Sequence, residues 1–361
     1  MPLSSRRYEA SDPWEFIEMA YEKNWTDGMP VCPPTPERVE AMIACVGRKP
    51  EEVVGVVPPQ NGEATIEKLA IQCVMGGCRP EYFPIVLAAL DAMLEEKFNL
   101  YGVETTLHPC EPLVVVSGPI VKALGFNTGD AVFGAGRPNA TIGRAIRLIL
   151  WNIGGSYPGV NATAPLGHPG RYGFCIAENL DENPWPPLHK DFGLASESGV
   201  VVIGVDGPQA MLALPDARHT LNIWADGVSR MSGNNIQYMT GGQGMMVMAP
   251  PVAKKLTGEG WSKSDIQKYL FDTARRRLGD LKRGFYTFDP AKGGNAGWPK
   301  WVDQTSDETL VPIVSDPSDI FLAVAGGVRA HWFSAWCPGW GLMGGLAVAR
   351  PLELPKRHGG A

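Results

Sequence analysis

The stretch that most constrains this chain is residues 64–97, which reads as a helix, two glycines, a cysteine and a second helix. Gly76 and Gly77 follow the first helix, and glycine takes the left-handed conformation that ends helices at no steric cost. Residues 84–94 are apolar nearly all round, which predicts a buried second helix. The apolar face of the first helix is predicted from helical spacing: Ile66, Leu69, Ala70, Cys73 and Val74.

Cys78 follows the two glycines and precedes the second helix, and this position favours a reactive thiol. A helix N-terminus carries partial positive charge, and Arg79 adds a full one next to the sulfur. Both favour thiolate over thiol, and the thiolate is the nucleophile. The alternative is a small buried residue in a tight turn, as unpaired cysteines often are. We expect Cys78 to be the catalytic nucleophile and Arg79 to be its electrostatic activator.

Composition excludes several classes of function. The net charge of -6 and the lack of long basic runs argue against a nucleic-acid partner. No apolar run approaches the length of a membrane helix, and the N-terminal residues lack the apolar core of a signal peptide. The chain has seven cysteines, an odd number without framework spacing, so reduced thiols are expected. We therefore expect a cytoplasmic protein with neither a nucleic-acid nor a membrane partner.

Three motifs carry a resemblance to a known family. They are DG-x-PV-x-PPT-x-ERV at 27–39, TIEKLAI-x-x-VMGGC-x-PEYFP at 65–84, and NATIGRA at 139–145. In this order they resemble an uncharacterised bacterial protein family that has no settled reaction. The opening motif is also similar to that of small bacterial thiol or selenol proteins of the UGSC type. This resemblance implies sulfur chemistry at Cys78 and nothing more specific.

Two residues are candidates for acid–base roles beside the cysteine. Glu178 follows an apolar strand, and open α/β sheets place ligands at the carboxyl ends of strands. His108 precedes another apolar strand and is a candidate general base for Cys78. His108 and Cys110 also have a spacing that a metal site could use, but such a site needs three or four ligands and no second pair has suitable spacing. We predict no metal and no cofactor.

A glycine-rich loop at 133–139 runs directly into a predicted helix that begins near residue 141. Unpaired N–H groups at a helix N-terminus bind anions, although these glycines are also what a tight loop needs. We expect Asn139 or Thr141 to cap the helix, and Arg144 and Arg147 to lie opposite its apolar face. The predicted substrate-binding residues are Gly136, Arg137, Asn139, Thr141 and Arg144.

Apolar strands alternate with helices along the chain, which predicts an α/β fold with a mixed or parallel sheet flanked by helices. Residues 114–124 and 246–256 align without a gap, and a helical segment follows each. This echo favours two similar lobes around a cleft, an N-terminal lobe of residues 1–192 and a C-terminal lobe of residues 193–361. Two lobes that meet at a cleft would place Cys78 near the loop at 134–141. The predicted strands are 113–117, 172–177, 199–205, 245–249 and 320–325.

The leading functional hypothesis is a cysteine-dependent hydrolase or lyase that acts on a small anionic organic molecule through the Cys78 thiolate. A second hypothesis is a thiol redox protein in which Cys73 and Cys78 form a transient disulfide; four residues separate them, against two in the usual C-x-x-C pair. A third is a non-catalytic binding or oligomer-forming protein, whose glycines and tryptophans serve packing. We also expect a homo-oligomer.

Overall fold

Two four-stranded sheets lie face to face in the computed structural model, and each carries helices on its outer side. The structure describes residues 3–231, 242–284, 302–329, 331–340 and 345–353. The layers therefore run helices, first sheet, second sheet, helices. Both sheets mix parallel and antiparallel strands, so the predicted α/β class is confirmed.

The N-terminal part of the chain supplies eight of the described α-helices and the first five strands. A short 3-10 turn at Pro80–Tyr82 precedes α4, and another lies at Pro169–Tyr172. The elements are α1 Pro13–Glu22, α2 Pro36–Val46, β1 Val53–Val57, β2 Gly62–Thr65, α3 Ile66–Met75, α4 Phe83–Met93, α5 Leu100–Thr105, β3 Glu111–Ser117, α6 Ile120–Ala123, α7 Arg137–Asn152, β4 Cys175–Ala177, α8 Leu188–Asp191 and β5 Ser198–Val205.

The C-terminal part supplies the remaining described strands and α-helices: the second sheet and its outer helices, the separate pair β8 and β9, and one strand of the first sheet, β12. They are β6 Gln209–Leu212, α9 Ala217–Val228, β7 Gly244–Met248, α10 Pro250–Gly258, α11 Lys263–Thr273, β8 Arg275–Arg277, α12 Leu278–Gly284, β9 Leu310–Pro312, β10 Ile320–Val324, β11 Phe333–Pro338 and β12 Val348–Leu352. None of the described helices is long and apolar enough to cross a membrane.

The two sheets use the same pairing scheme. In the first, with order β12-β5-β3-β4, β3 runs parallel to β4 and antiparallel to β5. In the second, with order β10-β7-β11-β6, β7 runs parallel to β10 and antiparallel to β11. The registers agree as well, in line with the sequence echo: Val116 pairs with Ala177 and Val200, while Met248 pairs with Val324 and Ser334.

Each sheet also receives one edge strand that follows, along the chain, a strand of the other sheet. β6 follows β5 along the chain but pairs with β11 in the second sheet. β12 follows β11 but pairs with β5 in the first sheet. The first sheet therefore contains two strands, β5 and β12, from beyond the boundary predicted between residues 192 and 193. The division into two domains at that boundary stays a prediction.

Strand alternation explains why each sheet is buried on both faces. In β3, Val114 and Val116 face the outer helices, while Leu113 and Val115 face the second sheet. β7 repeats this arrangement: its outward-facing residues are Met246 and Met248, and its inward-facing residues are Met245 and Val247. Apolar side chains thus fill the space between the two sheets.

The helix–turn–helix stretch folds as its sequence predicts. Thr65 caps α3 by accepting a hydrogen bond from the backbone N–H of Lys68 at 3.2 Å. α3 ends at Met75, and Gly77 then adopts a left-handed conformation with φ of 84°. Because α3 packs along α7, this turn brings Cys78 to the first half of α7.

Candidate functional site

Cys78 lies in the turn between α3 and α4, against the backbone of α7. Its N–H donates to the carbonyl oxygen of Cys73 at 2.9 Å, which fixes the turn. Its thiol donates to the carbonyl oxygen of Thr141 at 3.2 Å. At Gly77, a Cβ would lie in ordinary contact with the Thr141 methyl carbon, at 3.4 Å, so the left-handed conformation rather than a lack of space favours glycine here. The predicted proximity of Cys78 and the 134–141 segment is present, within one half of the molecule.

Two further thiols adjoin Cys78, those of Cys73 and Cys175. Burial raises the pKa of Cys73, and a hydrogen bond with Cys78 together with the charge of a Cys78 thiolate raises it further. Burial also raises the pKa of Cys175, and the charge of Cys78 adds to the effect. Cys78 is 9% exposed, against 0% for Cys73 and 4% for Cys175. Cys78 is therefore the most exposed member of this thiol cluster (Cys73, Cys78 and Cys175).

Two arginines add positive charge beside the turn. Arg137 donates to the carbonyl oxygen of Gly77 at 3.3 Å, and its side chain is exposed. Burial raises the pKa of Tyr82, and the positive charges of Arg79 and Arg137 oppose that rise. A Cys78 thiolate acts on the same phenol, so both guanidinium groups and the sulfur lie around Tyr82. The Glu81 carboxylate acts on Tyr82 as well, so two positive charges face one negative charge there. The two cations are the feature that this turn shares with the surroundings of reactive cysteines.

The start of α7 differs from the prediction. The helix begins at Arg137 rather than near residue 141, and Gly136 is its N-cap residue with φ of 97°. Neither Asn139 nor Thr141 caps it. The Asn139 amide accepts from the N–H of Asn127 at 2.9 Å and donates to its carbonyl oxygen at 2.9 Å, which ties the preceding loop to the helix. The Thr141 hydroxyl donates to the carbonyl oxygen of Arg137 at 2.7 Å.

Arg144 and Arg147, which were expected opposite the apolar face of α7, are both buried. Arg144 forms an ion pair with Asp27 at 2.7 Å and also donates to the carbonyl oxygen of Met29. Arg147 pairs with Glu104 at 3.4 Å in the interior. A paired carboxylate offsets the free-energy cost of burying a guanidinium group. The spacing of charged residues along a helix therefore does not show which side of the helix faces solvent. A role for Arg144 in substrate binding stays a prediction, although Asp27 already engages its guanidinium.

Glu178 lies on the other face of the first sheet from Cys78. One carboxylate oxygen accepts from the N–H of Leu188 at 2.7 Å, and the other accepts from Asn183 at 3.3 Å and from the N–H of Val324 in the second sheet at 3.4 Å. Burial raises the pKa of Glu178. These contacts tie the segment after β4 to β10, and they do not bring Glu178 to the thiol cluster.

His108 is half-buried and lies before β3, at the opposite end of that strand from Glu178. Its carbonyl oxygen accepts from the N–H of Cys110 at 2.8 Å. Burial raises the pKa of Cys110, and the negative charges of Asp206 and Glu111 add to the rise. The structure therefore brings together Cys78, Arg79, Arg137 and the backbone of Thr141, while the two predicted acid–base partners lie elsewhere.

Sequence reasoning missed a buried ion cluster formed by Glu104, Glu111, Arg147 and Arg171. Arg171 pairs with Glu111, Arg147 pairs with Glu104, and the Ser156 hydroxyl donates to Glu104 at 2.6 Å. Burial and the charge of Glu104 raise the pKa of Glu111 to about 8, against the opposing effect of the two arginines. The one signal in the sequence was an acid at the start of the apolar strand β3.

The cavity at this cluster is too small for a substrate. It holds about 10 Å³, room for one water molecule, and Glu111, Arg147 and Arg171 line it. The cluster can therefore hold or release a proton, but it cannot admit an organic molecule in this conformation. Among the residues that the structure describes, no group of three or more His, Cys, Asp or Glu side chains is arranged to hold a metal ion.

Comparison of this chain with protein-family models, with curated proteins and with solved structures found no match. The resemblance carried by the three sequence motifs therefore stays a prediction. Any functional conclusion depends on the geometry of the chain itself.

Proposed function

We propose that this protein is a cysteine-dependent enzyme, a hydrolase or lyase that acts on a small anionic organic molecule through the Cys78 thiolate. The observation that carries the proposal is the thiol cluster itself. Cys78 is its most exposed member, Cys73 is a buried hydrogen-bonding partner, and the positive charges of Arg79 and Arg137 act on the same surroundings. A thiol donor and nearby cations both stabilise a thiolate.

The roles follow from these contacts. Cys73 keeps its proton and hydrogen-bonds to the Cys78 sulfur, because burial raises the pKa of Cys73. The Cys78 thiolate attacks an electrophilic carbon and forms a carbon–sulfur bond as the leaving group departs with its electron pair. If that carbon is a carbonyl, the product is a thioester, which water hydrolyses to a carboxylic acid as the Cys78 thiolate leaves. If it is a saturated carbon, loss of a neighbouring proton to water expels the thiolate and leaves an alkene. Arg137, exposed beside Gly77, attracts the substrate's anionic group.

The rate of alkylation tests the nucleophile. At neutral pH, iodoacetamide labelling followed by peptide mapping should modify Cys78 faster than the other buried cysteines. Cys32 is exposed and will label for that reason alone, so the comparison that decides is the labelling rate of Cys78 in different variants. Arg137→Ala should slow the labelling of Cys78, whereas Arg48→Ala, on a surface pair with Glu52, should not. Labelling of Cys78 only after unfolding would contradict the proposal.

The contact between Cys73 and Cys78 also favours a second candidate, a thiol redox protein. In that function the two thiols lose two electrons and two protons to an oxidant and form a disulfide. Mild oxidation with oxidised glutathione should then link Cys73 to Cys78 in wild type and in Cys175→Ser, as peptide mapping would show. A mixed disulfide that persists on Cys78 without transfer to Cys73 would favour the nucleophile function instead.

The cellular setting belongs to the same proposal. All seven cysteines are free thiols in the structure, as in proteins of a reducing compartment, so we place the enzyme in the cytoplasm. We keep the homo-oligomer and the absence of a nucleic-acid partner as part of this proposal. Size-exclusion chromatography with light scattering tests the oligomer directly.

A further inference from the structure

A large cavity lies beneath the N-terminal segment, next to the turn that carries Cys78 but not lined by Cys78 itself. We call residues 3–12 the N-terminal strap, because they run over the helices without forming regular structure. The Glu67 carboxylate on α3 holds the strap by accepting from the backbone N–H groups of Ser4 at 2.9 Å and Ser5 at 2.8 Å. Asp12 caps α1 where the strap ends. The strap thus forms one wall of a cavity whose other walls are α1, α2 and α3.

The size of this cavity suits an organic ligand. Its volume is about 1080 Å³, at the upper end of the range for ligand sites. Its walls are mainly apolar where helices form them. The apolar lining includes Leu3, Phe16, Met19, Val39, Ile71 and Met75. A ligand that fills this space therefore needs an apolar body.

The charges that line the cavity select the sign of the ligand. Four cations line it, namely Arg6, Arg7, Lys23 and Arg38. None of the four forms a salt bridge within the part of the chain that the structure describes, and Lys23 instead lies over the Tyr8 ring, 5.0 Å from its centroid. Three acids line it as well, namely Glu9, Asp12 and Glu67. Glu67 accepts from the strap and Asp12 from the start of α1, so both carboxylates already have hydrogen-bond donors. Four positive charges against three negative ones leave the lining with a net positive charge, which favours an anion.

We infer that this cavity binds an amphipathic carboxylate, a molecule with an apolar body and one anionic head group. The apolar body lies along α3 against Ile71 and Met75, and the head group pairs with the cations at the rim. Hydrogen bonds from its own backbone N–H and from Thr35 lower the pKa of Glu37, and the charge of Arg7 lowers it further. Because Arg7 already acts on this acid, Arg38 on α2 is the stronger partner. Cys78 does not line this cavity, so the inference is independent of the proposed enzyme activity.

Cys32 provides a reporter inside the cavity. Its thiol is exposed and lines the same space, and its N–H donates to the carbonyl oxygen of Met75 at 3.0 Å. A ligand body that lies against Met75 covers this sulfur. Protection of Cys32 from iodoacetamide therefore reports occupancy, and titration of that protection gives an affinity.

The experiment compares decanoate with two partial ligands on the full chain. Decanoate should protect Cys32 in a saturable way, while 1-decanol, which lacks the charge, and acetate, which lacks the apolar body, should protect at least about tenfold more weakly. Arg38→Ala should weaken decanoate binding about tenfold. Arg48→Ala, a matched arginine just beyond α2 that does not line the cavity, should leave it unchanged.

Several results would overturn the inference. They are a failure of decanoate to protect Cys32, equal protection by 1-decanol, and equal weakening by Arg38→Ala and Arg48→Ala. Ile71→Trp, which should fill the cavity and abolish protection, gives a further check. Because Ile71 is partly buried against the core and this variant could fail to fold, the exposed Arg38→Ala keeps the test decisive.

Discussion

The two sheets share one pairing scheme but carry different side chains at equivalent positions. Register makes the equivalence specific: Cys175 pairs with Val114 in the first sheet, and Leu322 pairs with Met246 in the second. Equivalent backbone hydrogen bonds follow the two strands: the N–H of Glu178 donates to Val116 at 3.0 Å and that of Ala325 to Met248 at 3.0 Å. A thiol and a carboxylate in one half thus correspond to two apolar side chains in the other.

The outer helix layers differ in the same way. On the first sheet, α3 and α7 bury thiols and the guanidinium groups of Arg144 and Arg147. On the second sheet, the outer layer is an apolar core that includes Trp224 and Trp336. The second sheet shows that this strand arrangement forms with apolar residues at these positions, so folding alone does not require polar residues at the equivalent positions of the first sheet. The polar residues of the first half are therefore the better place to look for chemistry, and the second half serves as an internal control.

The largest expected effect concerns the helices α7 and α11, which occupy corresponding places between parallel strands. Arg147→Met should leave Glu104 buried without its cation and should lower the free energy of unfolding by about 3–5 kcal/mol. Lys268→Met on α11 breaks an exposed pair with Asp272, so it should cost only about 0.3–0.5 kcal/mol. Urea unfolding of both variants measures the difference.

A double variant identifies the cause. Glu104→Gln removes the buried negative charge, so Arg147→Met/Glu104→Gln should recover part of the stability that Arg147→Met loses. If the double variant is no more stable than Arg147→Met, then packing against Trp151, whose ring centroid lies 5.2 Å from the guanidinium, matters more than charge. In that case the buried charges of the first helix layer would contribute less to the difference in stability between the two layers than the packing of Arg147 does.

The second prediction concerns pH. Glu111 corresponds by register to Gln243, and burial raises the pKa of Glu111 from 4.5 to about 8. Between these values the folded state keeps a proton that the unfolded state releases. The stability contributed by this group is thus fully present below pH 4.5 and is lost as the pH rises towards 8. The slope cannot exceed about 1.4 kcal/mol per pH unit.

Glu111→Gln gives the first half the residue type of the second and should flatten this part of the stability profile. Glu308→Gln, at an exposed acid of the second half, should leave the profile unchanged. Urea unfolding at several pH values across the window measures both. A wild-type profile that rises with pH there, or one that Glu111→Gln does not alter, would show that Arg171 keeps Glu111 ionised in the folded state.

Local sequence patterns predicted much of the framework. The predicted strands at 113–117, 199–205, 245–249 and 320–325 match β3, β5, β7 and β10 within two residues at each end. The predicted strand at 172–177 is shorter in the structure, Cys175–Ala177, because a 3-10 turn takes its start. The edge strands β6 and β12 were not predicted. β6 pairs with β11 and β12 pairs with β5, and both partners lie far away along the chain. A local sequence pattern contains no information about so distant a partner.

The candidate site was predicted in part, for the same reason. Glycines and a following proline mark the Cys78 turn locally, so that turn could be predicted. The partners of the two buried arginines could not, because Asp27 lies 117 residues from Arg144 and Glu104 lies 43 residues from Arg147. Cys78 and Arg137 were expected to meet across a cleft between lobes. They meet because α3 packs on α7 at Gly76, where a Cβ would be 3.1 Å from the backbone nitrogen of Ala145.

The smallest expected effect compares the starts of the same two helices. Ser262 caps α11, accepting from the N–H of Asp265 at 3.1 Å within a capping box, so Ser262→Ala should cost about 1 kcal/mol. Thr141 lies inside α7 and bonds only to the preceding turn through its hydroxyl, so Thr141→Val should cost less than about 0.5 kcal/mol. The valine keeps the backbone carbonyl that accepts from Cys78. If Thr141→Val costs as much as Ser262→Ala in urea unfolding, the Thr141 hydroxyl stabilises the start of α7. The side-chain contacts of that helix start would then contribute to holding Cys78 in place.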